Sequence, residues 1–204
     1  WPGIIQELIK YDKELSIKKP IIKIARSIKE REIMEEVYKE KKDYGIEYIN
    51  SKYLFNNQKK WPYSPYGYLK SKNDGRIDPI KLLNCLESYG RELKIEVIED
   101  QVNMIKKITS KKWKIYLEEN TTITTDYIIV CSGIGTQKIL ESSGYDVPMQ
   151  RIYGQAIEIR IKGNIEKIKM LPAVLSVEGL NIIPIGNKNL IIGASLEENI
   201  QNKQ

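Results

Sequence analysis

The chain has 204 residues, enough to bury a sizeable core, and its 41% hydrophobic and 29% charged residues are typical of globular proteins. No apolar run approaches the roughly 20 residues that a helix needs to cross a bilayer, so no membrane span is expected. The net charge of +6 comes from 33 basic and 27 acidic residues that are interspersed along the chain. Interspersed charge favours a solvated surface and argues against a nucleic-acid partner.

The cysteine and histidine content restricts the chemistry further. Cys85 and Cys131 are the two cysteines, they lie far apart, and the chain contains no histidine. This composition argues against a structural zinc site, so no metal is predicted. Because there is no histidine to act as its base, Cys131 is a poor candidate for a nucleophile. A reduced, cytoplasmic protein is expected.

Residues 1–72 predict a mostly helical segment. Ser27 to Glu30 form a capping box ahead of a helix that is expected to end at Gly45. Pro20 to Ala25 predict one short strand between the helices. Residues 61–68 are aromatic and rich in turn formers, which fits either a lid over a substrate pocket or a packed surface loop.

Residues 73–147 predict a helix followed by four strands. The segment Gly75 to Pro79 leads into the helix, with Asp78 as the N-cap and Pro79 in the first turn, where its missing N–H costs nothing. Tyr89-Gly90 is expected to end that helix. The four predicted strands are 95–98, a run around 102–105, 113–117 and 126–131.

The last of these runs points to a ligand site. Residues 127–130 are continuously apolar, as in a strand that is buried on both faces of a parallel sheet. The run closes in Cys131-Ser132-Gly133, whose small side chains allow a ligand to approach the backbone. Ligands of open α/β sheets gather at the carboxyl ends of strands.

Residues 148–204 show the alternation of an antiparallel sheet with one exposed face. Ile157, Ile159 and Ile161 fall on one face of a strand, with charged residues between them. Two further runs, 180–185 and 190–194, flank a hairpin turn at 186–189.

The order of these segments resembles the D-amino-acid-oxidase superfamily of FAD-dependent oxidoreductases, and most of all its glycine oxidase and sarcosine oxidase branch. That superfamily has a Gly-x-Val-Asp-Pro segment before a helix, a strand with a flavin-contacting valine and a small-small-Gly turn. An Arg-Gly-Gln segment and a Gly-Ala-Thr-x-Glu turn follow. The corresponding segments here are Gly75 to Pro79, Val102, Cys131-Ser132-Gly133, Tyr153-Gly154-Gln155 and Gly193 to Glu197.

The resemblance implies an α/β (α+β) fold, in which part of an FAD-binding, Rossmann-like domain is interleaved with a substrate domain built on an antiparallel or mixed sheet. Residues 1–72 and 148–204 would belong to the substrate domain, and 73–147 to the FAD domain. The family's Gly-x-Gly-x-x-Gly turn, which holds the pyrophosphate, has no complete copy here. The chain is therefore expected to be the middle portion of a flavoenzyme, whose phosphate-binding part is missing or carried by a separate chain.

The resemblance also implies the cofactor-binding residues. Val102 would hold the edge of the adenine through its backbone, and Cys131, Ser132 and Gly133 would pass close to the adenosine or pyrophosphate of FAD. The structural alternatives are a core valine and a small-residue turn in which Thr136 caps the next helix. Tyr153 stands where the family has the arginine of Arg-Gly-Gln, and no residue is assigned a catalytic role.

The implied activity is oxidative deamination of a small amino acid or secondary amine, with hydride transfer to FAD. The first alternative is a non-catalytic remnant or interaction module of the same fold. The second is the related flavin domain of a tRNA-modification enzyme, which the basic charge would suit.

Overall fold

The computed structural model describes residues 2–50, 64–163, 166–186 and 188–193. Residues 61–63 of the aromatic segment, 194–197 of the predicted Gly193 turn and 187 of the predicted hairpin turn lie outside these ranges. The chain divides into two compact units. The first unit comprises Trp1–Lys94 and Tyr153–Gln204, and the second comprises Ile95–Ile152.

The helices and strands alternate along the chain. The helices are α1 (Pro2–Leu8), α2 (Ile28–Lys41), α3 (Pro79–Glu92), α4 (Thr136–Glu141) and α5 (Glu166–Lys169). The strands are β1 (Ile21–Ile24), β2 (Ile46–Ile49), β3 (Tyr68–Ser71), β4 (Val102–Thr109), β5 (Lys112–Leu117), β6 (Thr122–Thr125), β7 (Ala156–Arg160), β8 (Val174–Val177), β9 (Leu180–Ile185) and β10 (Asn189–Gly193). Short 3₁₀ helices span Lys42–Tyr44 and Gly133–Gly135.

The first unit contains a mixed sheet of seven strands in the order β2-β3-β1-β8-β9-β10-β7. The β1–β8 pair is parallel and the other neighbours are antiparallel. Its central strands carry one apolar cluster, formed by Ile22, Ile24, Tyr68 and Leu175. The predicted α/β fold class, with its mixed sheet, is confirmed.

A second apolar cluster joins α1 to α3. Ile5 and Leu8 pack with Leu15 and Cys85, and Leu82 and Leu86 surround them. The amphipathic stripe of each short helix is buried against the other helix, which stabilises both. Burial also raises the pKa of the Cys85 thiol, so this cysteine is an inert core residue.

The predicted N-caps of α2 and α3 are confirmed, with one difference from the predicted capping box: Glu30 binds the N–H of Arg26, one residue before the N-cap Ser27. The Ser27 side chain accepts from Glu30 N at 3.1 Å, and the Glu30 carboxylate accepts from Arg26 N at 2.7 Å. The Asp78 carboxylate accepts from Ile80 N at 3.0 Å and from Lys81 N at 3.1 Å. After α2, the 3₁₀ turn ends at Gly45, whose φ of +86° favours glycine.

We predict that Asp78→Ala lowers the free energy of unfolding by about 1 kcal/mol, because two N–H groups at the start of α3 lose their acceptor. Asp78→Asn is the matched control, since asparagine caps helices about as well as aspartate. Urea unfolding followed by circular dichroism measures both variants. Equal losses for the two variants would contradict the capping role.

Four sequence predictions of secondary structure are wrong. Helix α3 does not end at Tyr89-Gly90, because its hydrogen bonding continues to Glu92. Residues 1–72 are not mostly helical, because the described part of this segment contains β1, β2 and β3 as well as α1 and α2. The segments 95–98 and 126–131 do not form strands. A strand requires a partner for its backbone N–H and C=O groups, and no described strand pairs with either segment. Most of their apolar side chains are accordingly exposed, Ile129 by 87%, while Ile128 and Val130 are half-buried.

Two other predicted strand features are confirmed, one of them with a difference. Strands β9 and β10 form the predicted antiparallel hairpin, with Ile183 opposite Ile191. Strand β7 forms where the isoleucine alternation predicts it, but every one of its residues is exposed, so neither face is buried. The reason is that β7 lies at the end of the sheet. No described helix is long and apolar enough to cross a membrane.

Candidate cofactor site

A cavity of about 340 Å³ lies in the second unit, beside β4 and the N-terminal end of α4. Its lining combines side-chain amides, a hydroxyl, one ammonium group and two aliphatic side chains, and contains no carboxylate. The residues are Gln101, Val102, Asn103, Ser132, Gly135, Lys138 and Ile139.

Strand β4 is an edge strand, and this leaves backbone groups free at the cavity. In the order β4-β5-β6, no described strand pairs with the other edge of β4. Gln101 O faces β5, because it accepts from Glu118 N at 2.9 Å. Since neighbouring residues of an extended strand direct their backbone groups to opposite sides, the N–H and C=O of Val102 point away from β5.

A bulge in β4 adds to this edge. Val102 lies opposite Leu117 and Met104 opposite Tyr116, so Asn103 is an extra residue in the ladder. Bulges of this kind bend the strand and re-aim a side chain. Asn103 thereby lines the cavity next to Val102, and its amide oxygen lies 3.5 Å from Gln101 Nε2.

Helix α4 is held beside β4 by two serines that follow it. Ser142 Oγ lies 3.4 Å from Ile105 N, and Ser143 Oγ donates to Ile105 O. These contacts use the same outer edge of β4 to which the backbone groups of Val102 point. They place Lys138 and Ile139 of α4 at the cavity wall.

The turn before α4 depends on glycine. Gly133 has a φ of +56°, a conformation that residues with a Cβ adopt at a cost. Ser132 Oγ lies 3.1 Å from Thr136 Oγ1, and Gly135 N donates to Ser132 O at 3.0 Å. Helix α4 begins at Thr136, and its N-cap residue is Gly135. The alternative in which Thr136 caps this helix is therefore wrong.

Of the four residues predicted from the sequence, the structure brings Val102 and Ser132 to one cavity. Cys131 and Gly133 precede and follow Ser132 in the turn but are not among the lining residues. The Cys131 thiol is free and exposed, and an added Cβ at Gly133 would meet no atom within 4 Å. Among described residues, no group of three or more possible ligand side chains is arranged to hold a metal ion.

The sequence prediction missed five lining residues, Gln101, Asn103, Gly135, Lys138 and Ile139. The bulge at Asn103 has no sequence signal in a run of ordinary strand residues. In a Gly-x-Gly-x-x-Gly turn that began at Gly133, the third glycine would fall at position 138. The lysine found there departs from that motif, so the sequence does not indicate a binding role for it. Its position two residues into α4, on the side of β4, is visible in the structure alone.

Comparison with known proteins shows the family of the chain. A family model described as "DAO: FAD dependent oxidoreductase" matches residues 4–203. The chain belongs to this family of FAD-dependent oxidoreductases. The resemblance drawn from the sequence is thereby confirmed, and FAD is the cofactor of the family. No curated protein matches the chain.

Solved structures share the fold of this chain. Glycine oxidase from Geobacillus kaustophilus has a TM-score of 0.78 at 16% identity, over 98% of this chain and 54% of that chain. L-proline dehydrogenase from P. horikoshii has a TM-score of 0.75 at 15% identity, over 95% and 54%. The FAD-bound L-alpha-glycerophosphate oxidase from Mycoplasma pneumoniae has a TM-score of 0.73 at 18% identity, over 98% of this chain and 56% of that chain. The chain spans about half the length of these structures.

The lining of the cavity fits one end of FAD. An adenosine group needs apolar contacts for its ring faces and hydrogen-bonding groups for its ring edge and its ribose hydroxyls. Val102 and Ile139 supply the apolar contacts, and Gln101, Asn103 and Ser132 supply the polar ones. A cavity of about 340 Å³ is at the lower limit of ligand pockets, so it matches one end of a dinucleotide rather than all of it.

Proposed function

We propose that this chain is part of an amine or amino-acid oxidoreductase of the glycine oxidase type, and that the cavity beside β4 holds the adenosine end of its FAD. The observation that carries the proposal is the free backbone edge at Val102. A neighbouring donor and acceptor on one strand edge is the pattern that an adenine edge can pair with. It lies next to a cation, Lys138, that suits a phosphate.

Five of the seven lining residues contact FAD in this proposal. The backbone N–H and C=O of Val102 bind the adenine edge, and the side chains of Val102 and Ile139 contact its faces. Ser132 and Asn103 hydrogen-bond the ribose hydroxyls, and Lys138 neutralises a phosphate oxygen. The turn through Cys131 and Gly133 holds Ser132 in place, because the positive φ of Gly133 lets the chain reverse before α4.

The substrate of the proposed enzyme is a small amino acid or a secondary amine. This follows the names of its structural neighbours, which include glycine oxidase, L-proline dehydrogenase and iminodiacetate oxidase. When bound, FAD supplies the acceptor for the hydride that leaves the substrate.

We keep the domain division predicted from the sequence as part of the proposal, with 1–72 and 148–204 in a substrate domain and 73–147 in an FAD domain. The compact units of the structure change at other positions, after Lys94 and after Ile152. The Gly-x-Gly-x-x-Gly turn of the family is not in this sequence. We therefore assign the pyrophosphate to a polypeptide segment that carries this turn, either as a separate chain or as another part of a longer one. The described residues then supply the adenosine contacts and, through Lys138, one contact to a phosphate oxygen.

The cofactor site is tested by calorimetric titration of the chain with ADP, which carries the adenosine and phosphates of FAD without the flavin. We expect Lys138→Met to weaken ADP binding about tenfold, because a charge-assisted contact to phosphate is lost. Lys39→Met, at an exposed position of α2, is the matched control and leaves the affinity unchanged.

Titration with FMN separates the two ends of the cofactor, because FMN has the flavin and a phosphate but no adenosine. Binding of ADP together with weak or absent binding of FMN supports the assignment. Equal effects of Lys138→Met and Lys39→Met on ADP binding would contradict it, as would FMN that binds as tightly as ADP.

A further inference from the structure

Strand β7 is an exposed edge of the seven-stranded sheet. It pairs on one side with β10, with Ile159 opposite Leu190 and Ile157 opposite Ile192. No described strand pairs with its other side. Ile157 is 66% exposed and Ile159 is 39% exposed, although both are large apolar residues. An exposed edge with apolar side chains is a template for pairing with another strand.

The backbone groups on this open edge are known from the pairing with β10. Ile161 N donates to Lys188 O at 2.8 Å, just beyond the ladder. The isoleucines 157, 159 and 161 therefore direct their N–H and C=O groups towards β10. By the same alternation, Ala156, Glu158 and Arg160 direct theirs outwards, where a new strand would bind.

We propose that β7 pairs in antiparallel fashion with β7 of a second copy of this chain, about a two-fold axis at Ile159. In this register Glu158 of each copy lies opposite Arg160 of the other. The two outward-facing residues form hydrogen-bonded pairs, and each pair joins opposite charges. Centring the axis on Glu158 or on Arg160 instead would place like charges opposite each other, which is destabilising. The charge pattern therefore selects one register.

The side chains in this contact are available for it. Arg160 makes no hydrogen bond or ion pair with a described residue. Glu158 accepts from Asn189 Nδ2 at 2.8 Å through Oε1, and its second carboxylate oxygen has no described partner. On the opposite face, Ile157 and Ile159 continue the apolar row of Ile192 and Leu190 in β10. Pairing would extend that row into the second copy and cover the exposed isoleucines.

A second copy fits this edge better than an unrelated strand does, for a reason of symmetry. An antiparallel partner must present a basic residue opposite Glu158 and an acidic residue opposite Arg160. The same strand, reversed by a two-fold axis, meets this requirement, as isologous interfaces do. The contact is small, with few backbone hydrogen bonds and two ion pairs, so a weak, concentration-dependent dimer is expected.

Sedimentation equilibrium of the full chain, from about 1 μM to about 1 mM, measures the dissociation constant of this dimer. Arg160→Glu places two carboxylates opposite each other in both pairs, and we expect it to raise the dissociation constant about tenfold or more. The double variant Glu158→Arg with Arg160→Glu exchanges the charges and restores the pairs. It is expected to return the dissociation constant to within about threefold of the original value.

Lys39→Glu makes a comparable charge reversal on α2, away from β7, and leaves the dissociation constant unchanged. Circular dichroism checks that each variant is folded. If Arg160→Glu does not fold, Glu158→Arg gives the same expected weakening from the other side of the pair. A chain that is monomeric up to about 1 mM overturns the proposal. A double variant that stays as weak as Arg160→Glu also overturns it.

Discussion

Gly75→Ala is expected to lower the free energy of unfolding by about 3 kcal/mol, because the added Cβ overpacks a close backbone contact. A Cβ at this position would lie 2.3 Å from Lys18 O, and 2.9 Å from side-chain carbons of Ile17 and Lys19. Two segments meet here, because Lys18 and Arg76 exchange backbone hydrogen bonds of 2.8 and 2.9 Å. The nearest neighbour is backbone, so a rotamer change cannot relieve the clash, and the bridge itself must move.

Gly3→Ala is the matched control for this substitution. Gly3 lies in α1, and an added Cβ would meet no atom within 4 Å. Alanine is also a better helix former than glycine, so the stability of this variant should stay the same or rise. Urea unfolding followed by circular dichroism gives both values. A Gly75→Ala protein as stable as Gly3→Ala would show that the close approach at Lys18 is not required.

Arg76→Met should lower the free energy of unfolding by about 2–3 kcal/mol, through the loss of two hydrogen bonds from a charged donor. Arg76 Nε donates to Ala173 O at 3.1 Å, and Nη2 donates to Pro184 O. In the β8–β9 ladder Leu175 lies opposite Ile182, so two residues further on Ala173 would lie opposite Pro184. Because proline has no N–H, the ladder cannot continue there, and the guanidinium supplies the donors instead.

The half-buried position of Arg76 explains why this contact is strong. Burial lowers the pKa of the guanidinium, and the Asp78 carboxylate opposes that shift. Arg76→Lys separates charge from geometry, since lysine keeps the charge but lacks the planar fork that reaches two carbonyls. We expect the free energy of unfolding of Arg76→Lys to lie between those of the original chain and Arg76→Met. Equal stability of all three proteins in urea would contradict the bridging role.

Local signals in the sequence predicted the helices of this chain well. Ser27 and Asp78 act through neighbouring backbone N–H groups, so their capping roles can be inferred from a few residues of sequence. The β9–β10 hairpin is local in the same way. Short strands such as β2 and β3 were missed because four residues carry little periodicity, and their pairing partners are distant in the sequence.

The apolar segments 95–98 and 126–131 show the opposite error. Their composition is that of buried strands, yet no described strand supplies the hydrogen bonds that would make them strands. The composition of a segment shows that it can form a strand. Whether it does so depends on a partner strand elsewhere in the chain, which local composition does not reveal. The same limit applies to Arg76, whose role depends on Pro184, a residue 108 positions away.

The candidate site was predicted in part for a similar reason. Val102 and Ser132 follow from a family resemblance in the order of motifs, and the structure places both at one cavity. Asn103 and Lys138 reach that cavity through a bulge and through the packing of α4 on Ile105. Neither feature is a local property of the sequence, so both required the structure.

The visible absorption spectrum of the purified chain, after incubation with FAD and removal of the excess, tests the central proposal most directly. If the cavity at Val102, Ser132 and Lys138 holds the adenosine end of FAD, the flavin absorption bands remain with the protein after the excess is removed. Lys138→Met then retains less flavin than Lys39→Met. Equal retention of flavin by Lys138→Met and Lys39→Met, or a folded chain that binds neither FAD nor ADP, would contradict the claim that these residues hold the adenosine end of FAD.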